Sequence, residues 1–229
     1  MIFRKIFHRN EDGEHNFWMS YTDLMSGFLV VFIIISAVMY KNYQDKTRES
    51  NASLKNLIVE YKDIFYLDDP NISVEFNSDR GSIILTHHNP QKYLFASGKD
   101  TMEVVLERYL YNIRKPLVIK TMELWKEHNY KNVELRIEGH TDPNGLYRGT
   151  KRGSDESFLQ NLDLSSRRAN RVYNYILGNK SLTVEQREFA KKNMISVGYS
   201  FAHRVQQNNV GNEKLDPSSR RIEFRIISK

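Results

Sequence analysis

The chain has no cysteine, which excludes a disulfide framework and any Cys-based metal site. That lack is compatible with an oxidising compartment without demonstrating one. Lys and Arg number 34 against 28 Asp and Glu, a net charge of +6. The basic residues are scattered and form no long Lys/Arg block, so the charge argues only weakly for a nucleic-acid partner. Internal repeats and low-complexity tracts are absent. So are a Ser/His/Asp set, a phosphate loop and paired acids of catalytic spacing, and the chain is expected to be neither an enzyme nor a cofactor carrier. Long apolar runs are missing as well, with one exception. The 229 residues give room for one sizeable globular domain plus extra segments.

The exception runs from Phe17 to Tyr40. As a helix it measures about 36 Å, enough to span a bilayer with some tilt. A cleaved signal peptide is the competing reading. Ser36-Ala37-Val38-Met39-Tyr40 is a poor cleavage site, and an acid has no purpose in a signal sequence. Yet the run contains Asp23. A carboxylate inside a membrane helix costs roughly 2.5–3.5 kcal/mol at the centre and marks an ion or proton path by default. Helical geometry aligns Ser20, Asp23, Ser26, Gly27 and Val30 on one face. Small residues there let another helix approach closely. Lys and Arg are nearly balanced across the run, so charge does not set the topology.

Residues 1–16 form a polar tail. From Lys41 to about Asp69 the chain is charged and helix-compatible, with Leu54, Leu57, Ile58, Tyr61 and Phe65 at helical spacing. This segment reads either as a linker or as a helix that packs on a partner. Asp68-Asp69-Pro70-Asn71 is a turn signal and a candidate domain boundary. The remainder, 70–229, reads as α/β. Strands are expected at Ile72–Phe76, Ile83–Leu85, Val133–Ile137, Ile195–Val197 and Ile222–Ile226. Helices are expected at Lys99–Tyr111, Pro116–His128 and Leu164–Leu177, the last capped by Asp163 or Ser165.

Three motifs follow in order: Glu138-Gly139-His140-Thr141-Asp142, then Asn161 to Ala169 with Arg167-Arg168, then Ser219-Arg220-Arg221-Ile222-Glu223-Phe224. Together they resemble the OmpA-like peptidoglycan-binding domain. A cell-wall stem peptide can offer a diaminopimelate residue with a free carboxylate and ammonium. An arginine meets such a carboxylate with a bidentate fork, and an aspartate accepts from the ammonium. The resemblance places this pair at Arg168 and Asp142, supported by Thr141, Asn161 and Ser165. Taken singly, Asp142-Pro143 could be only a turn and Arg167-Arg168 a solvated helix face. Asp142 and Asn161 are 19 positions apart, further than in that family. The extra stretch, 145–157, could be a surface excursion or could cover the pocket. His140 lacks ligand partners at recognisable spacing, so it reads as structural and no metal is expected.

A wall-binding domain lies outside the inner membrane, which would put the N-terminus in the cytoplasm and Asp23 in the cytoplasmic third of the bilayer. Trp18, Tyr21-Thr22-Asp23 and Met25 resemble the channel helix of the flagellar stator B subunit, MotB. In finer detail, Phe17 to Gly27 is more similar to the ZorB family of the Zorya anti-phage defence systems. The resemblance implies an ion-carrying Asp23, channel support from Ser20, Tyr21, Ser26 and Gly27, a homodimer, and a ring of multispanning MotA/ZorA-like subunits. Flagellar motility and passive anchoring of membrane to wall are the alternatives to a defence motor.

Overall fold

The computed structural model describes residues 11–130, 133–144, 146–203 and 219–228, without the side chains of 11–20, 46–56 and 228. Two compact units divide the chain, Met1–Asn51 and Ala52–Lys229. In the first, helix α1 (Glu11–Glu60) carries a stretch, Tyr21–Asp45, long and apolar enough to cross a membrane. Every residue from 21 to 45 is exposed. An apolar helix without proline satisfies its own backbone, which is what a bilayer demands.

In the second unit the end of α1 joins the folded domain. Leu57, Ile58 and Tyr61 are buried, as is Phe65 of the short helix α2 (Lys62–Phe65). Phe65 packs edge-on against Phe224 at 5.1 Å, and the Tyr61 hydroxyl hydrogen-bonds Thr121 Oγ1 at 3.0 Å. The turn at 68–70 therefore leads into the first strand, while the compact unit begins earlier, at Ala52. The apolar spacing of 57–65 finds its partner within its own unit.

Five strands form one mixed sheet in the order β1-β2-β5-β3-β4. They are β1 (Ile72–Asn77), β2 (Ser82–His87), β3 (Val133–Gly139), β4 (Met194–Gly198) and β5 (Ile222–Ser228). β1 and β2 form a hairpin. β5 is antiparallel to both β2 and β3. β3 and β4 are parallel, which requires a long crossover; helices α4 (Asp155–Leu177) and α5 (Val184–Asn193) supply it. Helix α3 (Val104–Glu127) connects β2 to β3. Leu135, Ile137, Ile222, Phe224 and Ile226 join the hydrophobic core with α3 and α4. Strand alternation puts Arg136, Glu138, Glu223 and Arg225 on the opposite face.

Three helical expectations change. Lys99–Tyr111 and Pro116–His128 are replaced by one continuous helix, α3, with Pro116 inside it. Both Pro116 and Asn112, whose carbonyl loses its donor, are exposed, so solvent can take up the orphaned acceptor. A single buried stripe from Leu106 to Trp125 holds the helix through that point. Helix α4 starts at Asp155 and not near Leu164. Its cap is Ser154, which accepts from Ser157 N, so Asp163 and Ser165 are interior residues. Helix α5 lies outside the expected elements. It is marked by a capping box in which Thr183 and Gln186 bond reciprocally.

Candidate ligand cleft

Two glycines set the cleft. Gly139 and Gly198 are register partners at the ends of β3 and β4. A Cβ on Gly139 would lie 2.1 Å from the Ser165 carbonyl oxygen, and one on Gly198 would lie 2.4 Å from Ser166 N. Helix α4 therefore rests directly on backbone. Its face bearing Asn161, Ser165 and Arg168 meets the loop that carries Thr141 and Asp142 out of β3.

A cavity of about 160 Å³ opens there. Thr141, Asp142, Asn161 and Arg168 all line it, together with Arg220. Ser165 does not. Its Oγ accepts from Ser200 N at 2.9 Å, and the Ser200 carbonyl accepts from Thr141 N at 2.9 Å, so it braces the loop from behind. Asn161 Nδ2 donates to the Asn144 carbonyl at 2.7 Å and fixes the turn after Asp142. Of the stretch 145–157, Gly145 lies outside the described residues, and the rest folds back on α4. Leu146 N donates to Gln160 Oε1 and Ser157 Oγ to the Pro143 carbonyl. Leu146 joins the cavity wall, so part of this stretch shapes the pocket.

The charged groups are held differently. Arg168 is 7 % exposed. Its Nε donates to the Lys99 carbonyl at 3.0 Å and its Nη2 to that of Ala96 at 3.3 Å. The guanidinium lies 5.0 Å from the Phe95 ring centre. Burial lowers its pKa to about 10, partly offset by the Asp142 charge. These bonds occupy Nε and one hydrogen of Nη2, so a ligand fork must use the Nη1 edge. Asp142 Oδ1 accepts from Asn144 N at 3.0 Å. Its Oδ2 stands 3.1 Å from Arg220 Nε. The Arg220 guanidinium in turn lies over Tyr93, 3.8 Å from the ring centre. Arg220 was visible in the sequence only as half of a terminal arginine pair. The Tyr93–Lys99 segment carried no signal, because its hydrogen bonds to Arg168 come from backbone carbonyls and its two rings, Tyr93 and Phe95, meet arginines far away in sequence.

Beneath the cavity, Glu138, His140 and Glu223 converge with their ligand atoms within 4.8 Å, all buried. His140 Nε2 is 3.5 Å from Glu138 and 3.4 Å from Glu223, and its ring stacks on Tyr199 at 5.4 Å. Sequence spacing hid this trio because Glu223 comes from the last strand, opposite Glu138. Arg221 contacts Glu223 at 3.1 Å and Arg225 approaches Glu138 at 3.9 Å.

On α1, Ser26 Oγ donates to the Thr22 carbonyl at 2.5 Å. A Cβ on Gly27 would meet nothing within 4 Å. Tyr21 is 45 % exposed. The side chain of Ser20 lies outside the described residues.

No family model matches the chain. Among curated proteins, Zorya protein ZorB of Escherichia coli is 27% identical over an alignment of 242 positions. The alignment covers all of this chain and 94% of that protein. The chain is similar to ZorB from end to end. Among solved structures, a MotB-like protein from Desulfovibrio vulgaris aligns over 80% of this chain and 95% of its own. Its identity is 18% and its TM-score 0.43. The periplasmic domain of Helicobacter pylori MotB aligns over 68% and 88%, at 16% identity and a TM-score of 0.41. The ZorB alignment includes both the Asp23 helix and the cleft-bearing unit.

Proposed function

We propose that this chain is the wall-anchored B subunit of an ion-driven inner-membrane motor that acts in anti-phage defence. One observation carries the reading: an acid on an exposed, membrane-length helix in the same chain as a cleft that presents an aspartate and a buried arginine side by side. The N-terminus is cytoplasmic, residues 17–40 span the inner membrane, and the folded domain occupies the periplasm. Asp23 takes up and releases the ion, with a proton the first candidate. Ser20, Tyr21, Ser26 and Gly27 line its path. A carboxylate on an exposed helix needs enclosure by other chains. That requirement supports a homodimer inside a ring of multispanning ZorA-like subunits. Arg168 receives the carboxylate of a diaminopimelate side chain and Asp142 its ammonium. Thr141 and Asn161 shape the cleft and Ser165 braces it. Similarity to the Zorya protein ZorB favours defence over motility. The polar stripe at Asp23 favours a motor over a passive tether, which has no use for a membrane acid.

The test is ion flux in proteoliposomes holding the chain with a multispanning ZorA-like subunit. Wild type should dissipate an imposed proton gradient, and Asp23→Asn should not, while assembling equally well. Equal flux from both would overturn the reading.

A further inference from the structure

The cleft holds more positive charge than one carboxylate needs. Among the described charged residues lining it, Arg221 is taken up by Glu223 at 3.1 Å. Arg168, Arg220 and Asp142 remain, which sum to +1. The two remaining arginines are not equivalent. Arg168 is fixed by two backbone carbonyls and stacked near Phe95. Arg220 reaches Asp142 at ion-pair distance, yet its Nε lacks an aligned hydrogen-bond acceptor among the described residues. Its guanidinium is supported instead by the face of Tyr93. An arginine stacked on a ring keeps its position while its fork stays free to bond elsewhere. Arg220 is thus the displaceable partner of Asp142.

Resting on the wall-binding reading above, we propose that Arg220 is the specificity-determining residue of this cleft, serving as counter-ion to Asp142 when the cleft is empty and as receptor for a second carboxylate when it is filled. The ligand's ammonium replaces Arg220 at Asp142, and the released guanidinium, still seated on Tyr93, turns its fork to a carboxylate. The ligand that matches two guanidinium groups and one carboxylate is a residue with two carboxylates and one ammonium. A diaminopimelate at the end of a stem peptide has that set and a charge of −1. The same residue followed by another amino acid has lost one carboxylate to a peptide bond. One whose side-chain amine is cross-linked has lost the ammonium. The cleft is therefore built for stems trimmed back to their diamino acid and not cross-linked through it.

The experiment measures binding of the full-length chain in detergent to two synthetic stem peptides. Both end on diaminopimelate, one with a free α-carboxylate and one with an α-carboxamide of nearly equal size. Wild type should bind the acid about tenfold more tightly, the scale of one charge-assisted hydrogen bond. In Arg220→Gln that ratio should fall to near one, while Arg220→Lys, which keeps the charge and loses the fork, should fall between. A wild-type ratio near one, or a ratio unchanged in Arg220→Gln, overturns the proposal. Asp142→Asn separates this from the underlying reading. If it weakens both peptides while discrimination is absent, wall binding stands and the role of Arg220 falls. If wild type binds neither peptide, both fall.

Discussion

At the scale of single residues, the cleft depends on how each charge is held. Arg168 has spent part of its guanidinium on Lys99 and Ala96, so it is pre-positioned and loses little freedom on binding. Removing either member of the pair leaves the other without its ligand group. Asp142→Asn and Arg168→Gln should each weaken co-sedimentation with purified cell-wall sacculi by about tenfold or more; unchanged sedimentation in both would remove these residues from the interaction. The buried trio behind the cleft makes a separate prediction about pH. Burial and the neighbouring Glu223 push Glu138 up to about 7. Burial and the Arg221 charge push His140 down to about 3. A carboxyl raised in the folded state contributes stability in full below its ordinary value near 4.5 and loses it as pH rises through 7. The neutral imidazole works in the opposite direction, adding stability as pH rises from about 3 to 6.5. The two oppose one another between 4.5 and 6.5, and above that only the Glu138 loss remains. Glu138→Gln should therefore be more stable than wild type at pH 8, by about 1–3 kcal/mol, and by less at pH 5. Urea unfolding at both values checks this; no gain at pH 8 would mean that the carboxylate is better compensated than its burial indicates.

Among the elements, α4 is the piece that assembles the site. Its contact with β3 and β4 is possible only over Gly139 and Gly198, so Gly139→Ala should push the helix away from the Ser165 carbonyl it would otherwise strike. The expected cost is about 1–3 kcal/mol, seen as a lower Tm, with sacculus binding weakened alongside because Asn161 and Arg168 move with the helix. A fully stable Gly139→Ala protein with normal binding would show that the close approach is not needed. The strands were legible from the sequence because alternation such as Val133, Leu135 and Ile137 survives whatever covers it. The helices were harder to delimit. Pro116 suggested a break, but its lost hydrogen bond falls on the solvent side, and the buried stripe runs past it. The start of α4 was misplaced because the apolar spacing begins near Leu164, while the actual cap, Ser154, lies within a polar stretch that read as loop. Of the cleft, Thr141, Asp142, Asn161 and Arg168 converge on the cavity and Ser165 stands behind it, whereas Tyr93 and the carbonyls of Ala96 and Lys99 were invisible. The two carbonyl contacts depend on backbone position and not on residue type, and the Tyr93 ring meets Arg220 across a separation of 127 positions that no local spacing reveals.

For the whole molecule, the two units divide the work that the proposed function assigns. A membrane-length helix with residues 21–45 all exposed has its apolar surface open to lipid or to other chains, and Asp23 on it calls for the latter. Assembly with the multispanning subunit should contain two copies of this chain, which mass photometry of the purified complex reads directly; a single copy would contradict the dimer. The central claim is that Asp23 drives the machine. The most direct measurement is phage plating on cells carrying the complete native operon, with wild type beside Asp23→Asn. The account predicts that wild type protects and that Asp23→Asn, expressed and assembled to the same level, loses protection. Equal protection from both would contradict it and leave the chain a passive anchor.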